Sequence, residues 1–147
     1  MGLFDGLNIS ASGLTANSLW MNVTANNIAN ANTTRTPGGG PYRREEVVFA
    51  PATGSFNQAL ANASGGTSTV GNGVVVQSIV QDPSPFNLVY DPSSPDAVNG
   101  YVQTPNVNVS TEMMDMVTAS NAYQANVTAF NAAKAMDVAA IGLGKGV

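Results

Sequence analysis

The chain has 147 residues, a net charge of −4 and a pI of about 4.3, which predicts one domain without the basic surface that nucleic acids need. It contains no cysteine and no histidine, which excludes disulfides, imidazole catalysis and the usual zinc sites, so we expect no metal and no cofactor. Charged residues make up only 10% of the sequence, against about 25% in soluble domains, and no apolar run approaches the roughly 20 residues of a membrane span.

The N-terminal segment, residues 1–32, is predicted to be a helix. Large apolar residues recur in it every seven positions, and mostly small residues lie four positions later, which is typical of a heptad seam. The large residues are Leu7, Leu14, Met21 and Ile28. An amphipathic helix on a globular core is the alternative interpretation. The first residues also lack the basic start and apolar core of a secretory signal peptide, so export would need another route.

This helix is not expected to be stable by itself. Burying its large apolar residues contributes about 6–12 kcal/mol in total. Ordering roughly 22 residues costs about 1–2 kcal/mol each in backbone entropy alone, and its many asparagines, threonines and glycines lower the helix propensity further. Contacts on additional faces are therefore required, from the same chain or from neighbouring copies.

Residues 33–107 are predicted to form an inserted region of loops and short strands. The strand patterns are Tyr42–Phe49, Val74–Gln81, Phe86–Tyr90 and Tyr101–Val102. The pair Asn99-Gly100 is typical of a tight turn. The low-complexity residues 51–73 are predicted to be a flexible loop, because alanine, asparagine, glycine, serine and threonine dominate them.

Residues 108–147 are predicted to form a second, longer helix with Ser110 as its N-cap. Bulky apolar residues fall at helical spacing in it. They are Met113, Met116, Tyr123, Val127 and Phe130. The many alanines of this segment predict a face for close helix approach, or they are present only because alanine forms helices well.

Together these elements predict an α+β protein. Its long N- and C-terminal helices pair as an antiparallel, coiled-coil-like hairpin, and a small loop-rich β region is inserted between them. Both terminal segments have helical apolar spacing, several asparagines and few charges, so each is a suitable partner for the other.

Two terminal motifs resemble those of the flagellar rod/hook axial family. Near the N-terminus the similar stretch is residues 22–33, NVTANNIANANT. Near the C-terminus the similar stretches are Asn106–Val109, Glu112-Met113 and Ala119–Asn126. Residues 40–49 and 100–108, together with the short length, narrow the resemblance to the proximal rod subunits. This family usually has an arginine where the present chain has Asn121, so the resemblance implies no salt bridge there.

The resemblance implies a structural role. Such subunits leave the cytoplasm unfolded through the flagellar type III export apparatus, without a cleaved signal. They assemble helically with copies of themselves and with other rod subunits into the drive shaft that crosses the periplasm in the basal body and transmits torque. The partners implied are therefore proteins, and neither nucleic acid nor a direct membrane span is expected.

The predicted functional residues lie at interfaces rather than in a catalytic site. We expect the apolar heptad residues of the first helix to pack against Met116, Tyr123, Val127 and Phe130, with Met113 in the same interface. Asn26, Asn27, Asn30 and Asn126 are expected to make polar contacts at helix ends or between copies. Arg43 and Arg44 are candidates for charge contacts between subunits, or they lie on a solvated strand edge.

Three other interpretations of the sequence are open, and the first is of a different class. A small enzyme would need an acid–base pair among Glu45, Glu46, Asp82, Asp91 and Asp96. Adjacent carboxylates on a strand point to opposite faces, so Glu45 and Glu46 are a poor pair. Another rod or hook subunit is the second interpretation, and a binding module built on a helical hairpin is the third. We expect no enzymatic activity.

Overall fold

The computed structural model describes residues 5–52 and 71–144 of the chain. In chain order the elements are α1 (Asp5–Ala29), β1 (Glu45–Pro51), β2 (Val74–Gln81), β3 (Asn87–Tyr90), β4 (Tyr101–Thr104) and α2 (Val109–Gly144). Long terminal helices therefore enclose short strands in the sequence, and the predicted α+β fold class is confirmed. No helix in the described ranges combines the length and the hydropathy needed to cross a bilayer.

The strands form two separate antiparallel pairs, β1 with β2 and β3 with β4. Backbone hydrogen bonds from Ala52 N–H to the Gly73 carbonyl (2.9 Å) and from Asp82 N–H to the Arg44 carbonyl (2.8 Å) show the direction of the first pair. Strand β1 begins at Glu45, three residues later than predicted, because the Tyr42 N–H donates to the carbonyl of Thr33 and not to a neighbouring strand.

The predicted flexible loop at 51–73 lies largely outside the described residues, which resume at residue 71. The predicted domain limits, 1–32, 33–107 and 108–147, stay a prediction. Instead, the described residues divide into two compact units, each of which draws on both helices. The first contains the parts of the chain within 1–18, 49–77 and 121–147, and the second contains 19–48 and 78–120.

In the first unit, α1 and α2 run antiparallel at close range. A Cβ atom placed on Gly6 would lie 3.8 Å from the Cβ of Ala133, and one placed on Gly13 would lie 2.7 Å from Oδ1 of Asn126. From Gly6 to Gly13 the chain advances seven residues along α1, while the facing residue on α2 moves back seven, from Ala133 to Asn126. The two helices are therefore antiparallel. Ser12 joins β2 to this pair by accepting a hydrogen bond from the Val74 N–H (3.1 Å).

The second unit contains the β3–β4 hairpin. Asn87 lies opposite Thr104, and Tyr90 lies opposite Tyr101. The turn before β4 has positive φ at Asn99 (54°) and Gly100 (83°), the pattern of a type I′ turn. The tight turn predicted at this Asn-Gly pair is therefore confirmed.

Helix α2 begins under a different cap from the one predicted. Asn108 Oδ1 accepts hydrogen bonds from the backbone N–H groups of Ser110 (3.0 Å) and Thr111 (3.3 Å). These are the bonds of an N-cap side chain, so the cap is Asn108 and the prediction of Ser110 was wrong. Both residue types cap helices well, and the sequence alone does not separate two candidates that are two positions apart.

Candidate functional site: a buried polar cluster and uncharged helix surfaces

Asn27 is a buried residue of α1 whose amide is fully hydrogen-bonded. Its Nδ2 donates to the carbonyl of Glu45 (2.8 Å) and to Oε2 of Glu112 (2.9 Å). Its Oδ1 accepts from the Glu45 N–H (3.0 Å) and from the Tyr42 hydroxyl (3.0 Å). Two donors and two acceptor positions are the full capacity of an asparagine side chain. One residue therefore connects α1, the start of β1 and the start of α2.

Glu112 is a carboxylate in the first turn of α2 that is only 1% exposed. Besides the bond from Asn27, its Oε1 accepts a hydrogen bond from Nε of Arg44. A buried carboxylate needs both a countercharge and hydrogen bonds to offset the loss of water, and this one has both. We call Asn27, Tyr42, Arg44 and Glu112 the Arg44 cluster.

The guanidinium of Arg44 has more acidic neighbours than Glu112 alone. It pairs with Glu46, lies 3.4 Å from Oδ2 of Asp115 and lies 3.8 Å from Oδ2 of Asp82. The backbone N–H of Arg44 donates a hydrogen bond to Oδ1 of Asn106 (2.8 Å). The bond to Glu112 is the most protected of these interactions, so we treat it as the main one and the exposed pairs as minor contributions.

The surroundings shift the pKa of two residues in or beside the cluster. Burial raises the pKa of Tyr42 above its usual value of 10.0, and the negative charges of Glu45 and Glu112 act in the same direction. Hydrogen bonds from Ser84 lower the pKa of the Asp82 carboxyl below 3.8, and the positive charge of Arg44 contributes further. The tyrosine is thus held neutral and the aspartate ionised.

The chemistry of this cluster is that of a clamp. The buried carboxylate accepts hydrogen bonds from Arg44 and Asn27 and is only 1% exposed, so it is shielded from a substrate. Within residues 5–52 and 71–144, no three acidic side chains are arranged to hold a metal ion. What the cluster can do is hold the start of α2 against the end of α1.

The outer surfaces of both helices carry very few charges. Asp5 is the only charged residue of α1, and from Met116 onward α2 contains only Lys134 and the buried Asp137. Large apolar side chains are nevertheless exposed on α2. They are Val109, Met113, Met114, Val117, Met136, Val138, Ile141 and Leu143. By contrast, few apolar side chains are buried in the described ranges: Ala16, Val23, Pro41, Val102, Pro105 and Ala119.

Comparison with known proteins assigns the chain to a family. Residues 7–35 match the family described as "Flagella basal body rod protein", and residues 98–143 match "Flagellar basal body rod FlgEFG protein C-terminal". The flagellar basal-body rod protein FlgC of Bacillus subtilis is 46% identical over 150 residues, covering 99% of this chain and 100% of the relative. FlgC of Borreliella burgdorferi is 44% identical over 158 residues, with the same coverage.

The chain belongs to the FlgC family of flagellar basal-body rod proteins. A third relative, FlgC of Salmonella typhimurium, is 39% identical over 146 residues and is covered in full. In this FlgC family member the two matched segments contain Asn27 and Glu112, the buried polar pair of the cluster. Arg44 lies in the stretch between those segments.

The apolar interface residues predicted from the sequence are mostly half-buried. Leu7, Leu14, Met21, Ile28, Met116, Tyr123, Val127 and Phe130 are in this class. Met113 is exposed instead. Their role in an interface between FlgC copies stays a prediction. At Gly13, one position before Leu14, the two helices lie close together.

The predicted polar residues have different surroundings. Asn27 is central to the cluster, whereas Asn26 is exposed and its carbonyl accepts a hydrogen bond from Nδ2 of Asn30 (3.0 Å). Asn126 donates to the Ala122 carbonyl (2.9 Å) beneath Gly13. Arg43 lies over the ring of Phe86 at 4.2 Å and donates to backbone carbonyls of its own chain.

Sequence reasoning missed three contributors to the site. Glu112 and Asn106 entered the prediction only as parts of the C-terminal motif, and Tyr42 only as the start of a predicted strand. The signal for Glu112 comes from the folded chain. Glu112 falls seven residues before the buried Ala119, so it occupies the inner face of α2. A carboxylate there must be paired, and the chain has only five basic residues to supply a partner.

Proposed function

We propose that the chain is a structural subunit of the proximal rod of the bacterial flagellum. It assembles helically with copies of itself and with other rod subunits into the shaft that transmits motor torque. Its family supports this proposal, and the observation that carries it is the nearly uncharged outer surface of α2 with exposed methionine, valine, isoleucine and leucine side chains.

Such a surface suits burial between protein subunits. Each large apolar side chain that becomes fully covered contributes about 1.5–3 kcal/mol. Few charges lie on the helices, so little is spent on desolvating ions when copies meet. Several polar side chains are already satisfied within their own helix: Thr118 and Thr128 donate to the carbonyls four residues earlier. Association therefore leaves few polar groups without a partner.

We further propose that the protein is not an enzyme. The sequence contains neither histidine nor cysteine, and the most buried carboxylate, Glu112, is paired with Arg44. The half-buried carboxylates Asp82 and Asp91 have lowered pKa values because nearby serines donate hydrogen bonds to them, so they are ionised and serve poorly as general acids.

The proposal includes location and export. The subunit lies in the periplasmic part of the basal body and reaches it unfolded, through the flagellar type III export apparatus and without a cleaved signal. Two features of the sequence support this route: a helix of low intrinsic propensity, and the absence of cysteines that would respond to a change of redox compartment.

The test is a charge placed within the helix pair. Leu14→Asp, or Val127→Asp on the facing helix, should remove the subunit from purified basal bodies and abolish motility, because a carboxylate at a half-buried apolar position is costly to desolvate. Secretion of the variant into the periplasm should continue. Leu14→Met is the matched control, since it keeps an apolar side chain of similar volume. Normal motility of the Leu14→Asp, Val127→Asp double variant would contradict the proposal.

A further inference from the structure

Asp137 is a buried carboxylate that takes no part in the Arg44 cluster. It belongs to α2 in the first unit and is only 9% exposed, whereas the adjacent Met136 and Val138 are 66% and 62% exposed. Its Oδ2 atom is buried and has no hydrogen-bond partner in the part of the chain that the structure describes. Among residues 5–52 and 71–144, no basic side chain forms an ion pair with it.

The position of Asp137 on α2 is one that suits an apolar residue. It follows Tyr123 and Phe130 at steps of seven residues, and both of these side chains are half-buried. One turn before it on the same face, Ala133 lies 3.8 Å from where a Cβ atom on Gly6 of α1 would be. Asp137 therefore continues the face of α2 that meets α1, where a leucine would extend the apolar row.

A comparison with Glu112 shows what Asp137 lacks. Glu112 is also buried, yet its two oxygens accept hydrogen bonds from Asn27 and Arg44. A carboxylate that leaves water loses hydration, and only a countercharge together with hydrogen bonds offsets this loss. Asp137 has no countercharge and one oxygen without a donor in the described chain. Its burial therefore lowers the stability of the folded first unit.

We propose that Asp137 is a destabilising residue built into the first unit, which keeps the α1–α2 pair there weakly folded until the subunit assembles. It lies where α2 already buries little, since every residue from Val138 to Gly144 is exposed. A penalty in such a segment favours the open pair over the closed one. The inference rests on the proposed function, because it gives a weak fold a role in a subunit that is exported unfolded.

The first test is the stability of the purified chain in urea. Asp137→Leu replaces the carboxylate by an apolar side chain of the same branched shape, and it should lower the equilibrium constant of unfolding at least about fivefold. Asp137→Asn should lower it by a smaller factor, because a neutral group without a partner costs less than a charged one. Met136→Leu is the matched control at the adjacent exposed position, and it should change the constant less than about twofold.

Secretion provides a readout that an ordinary packing residue would not give. Export draws on the unfolded chain, so its rate should fall as the unfolded population falls. In cells that produce equal amounts of each variant, Asp137→Leu should therefore reach the periplasm at least about twofold more slowly than the wild-type chain, and Met136→Leu should not. Loss of a packing residue lowers stability instead and leaves more unfolded chain for export.

The two readouts separate this inference from the proposed function. If neither Asp137→Leu nor Asp137→Asn is more stable than the wild-type chain, the carboxylate is compensated in the folded state and the inference is wrong. Asp137→Asn decides by itself if the larger leucine prevents folding. Raised stability with unchanged secretion also overturns the inference. If the wild-type chain is not exported by the flagellar route, the proposed function fails, and the urea comparison alone then decides whether Asp137 weakens the fold.

Discussion

Asn27 shows how a single side chain can hold three segments together. Its four hydrogen bonds reach Tyr42, both backbone groups of Glu45, and the Glu112 carboxylate. Neither an apolar residue nor a shorter polar one can replace this set, because every bond uses a specific end of the amide. The adjacent Asn26 has the same chemistry but is exposed, so position rather than residue type gives Asn27 its importance.

Asn27→Ala is expected to lower the free energy of unfolding by about 2–6 kcal/mol. It leaves the buried Glu112 carboxylate and the Glu45 N–H without their partner, at about 1–3 kcal/mol for each unsatisfied group. Urea denaturation of the purified protein measures the change. Asn26→Ala is the matched control and should change stability by less than about 0.5 kcal/mol. Equal effects of the two substitutions would contradict the clamp role of the cluster.

Tyr42 should make stability fall at alkaline pH. Its pKa is raised above 10.0 in the folded chain, so its contribution is complete below pH 10 and is lost as pH rises through the folded-state value. Tyr42→Phe removes this ionisation and should remove that part of the alkaline decline, while lowering stability at neutral pH by about 1 kcal/mol through the lost hydrogen bond. Unfolding curves measured from pH 8 to 11 test this, and superimposable profiles of the two proteins would refute it.

The two helices lie close together at Gly13, a position without a side chain. Gly13 lies against Asn126, whose amide is fixed by its bond to the Ala122 carbonyl. The backbone carbonyl of Gly13 in turn accepts a hydrogen bond from Asn17 Nδ2 (2.9 Å). Glycine is a poor helix former, so its presence in the middle of α1 reflects the space required by the neighbouring helix rather than local preference.

Gly13→Ala should destabilise the helix pair even though alanine favours the helix by about 1 kcal/mol. The added Cβ would lie 2.7 Å from Oδ1 and 2.9 Å from Cγ of Asn126, which forces the helices apart or displaces the amide. Gly6→Ala is the matched control, because its Cβ would make an ordinary 3.8 Å contact with Ala133 and should stabilise the protein. Thermal melting compares the two.

Rescue by a second substitution separates steric conflict from other causes. Asn126→Ala removes the atoms that the new Cβ would meet, so the Gly13→Ala, Asn126→Ala double variant should lose less stability than the two single changes added together. If the stability losses of the two single variants simply add in the double variant, a clash with Asn126 is not the reason why alanine destabilises position 13.

At the scale of the full chain, burial is unevenly distributed. The second unit holds the buried Arg44 cluster, whereas every residue from Val138 to Gly144 at the end of α2 is exposed. Helical segments that bury little surface open readily, because the packing that stabilises most helices in proteins is missing. In the proposed assembly, neighbouring subunits stabilise the end of α2.

Hydrogen exchange should detect this dependence. In the isolated protein, amides of residues 138–144 should exchange at least about tenfold faster than those of residues 112–119, which lie beside the cluster. In assembled rods the same terminal amides should become protected. Equal protection of residues 138–144 in the isolated and assembled protein would contradict the view that assembly covers this end of the helix.

Local pattern was sufficient for much of the architecture. Apolar spacing indicated both helices, β propensity located Val74–Gln81 at its observed limits, and Asn99-Gly100 identified its turn, because these signals depend on neighbours within a few residues. Such local signals could not predict that the residues of the Arg44 cluster come together. Arg44 and Glu112 are 68 positions apart, and only the folded chain shows that this carboxylate is buried rather than solvated at a helix start.

Periodicity also did not determine which residues of each helix lie at the centre of the face that meets its partner. Leu7, Leu14, Met21 and Ile28 predict a heptad seam, whereas the buried positions of α1 include Gly13 and Asn27, one residue before Leu14 and Ile28. A sequence repeat determines that a helix has an inner face, since the repeat is a property of one segment. The partner determines which residues lie at its centre, because steric fit at Gly13 and ion pairing at Glu112 exist only between segments that are distant in the chain.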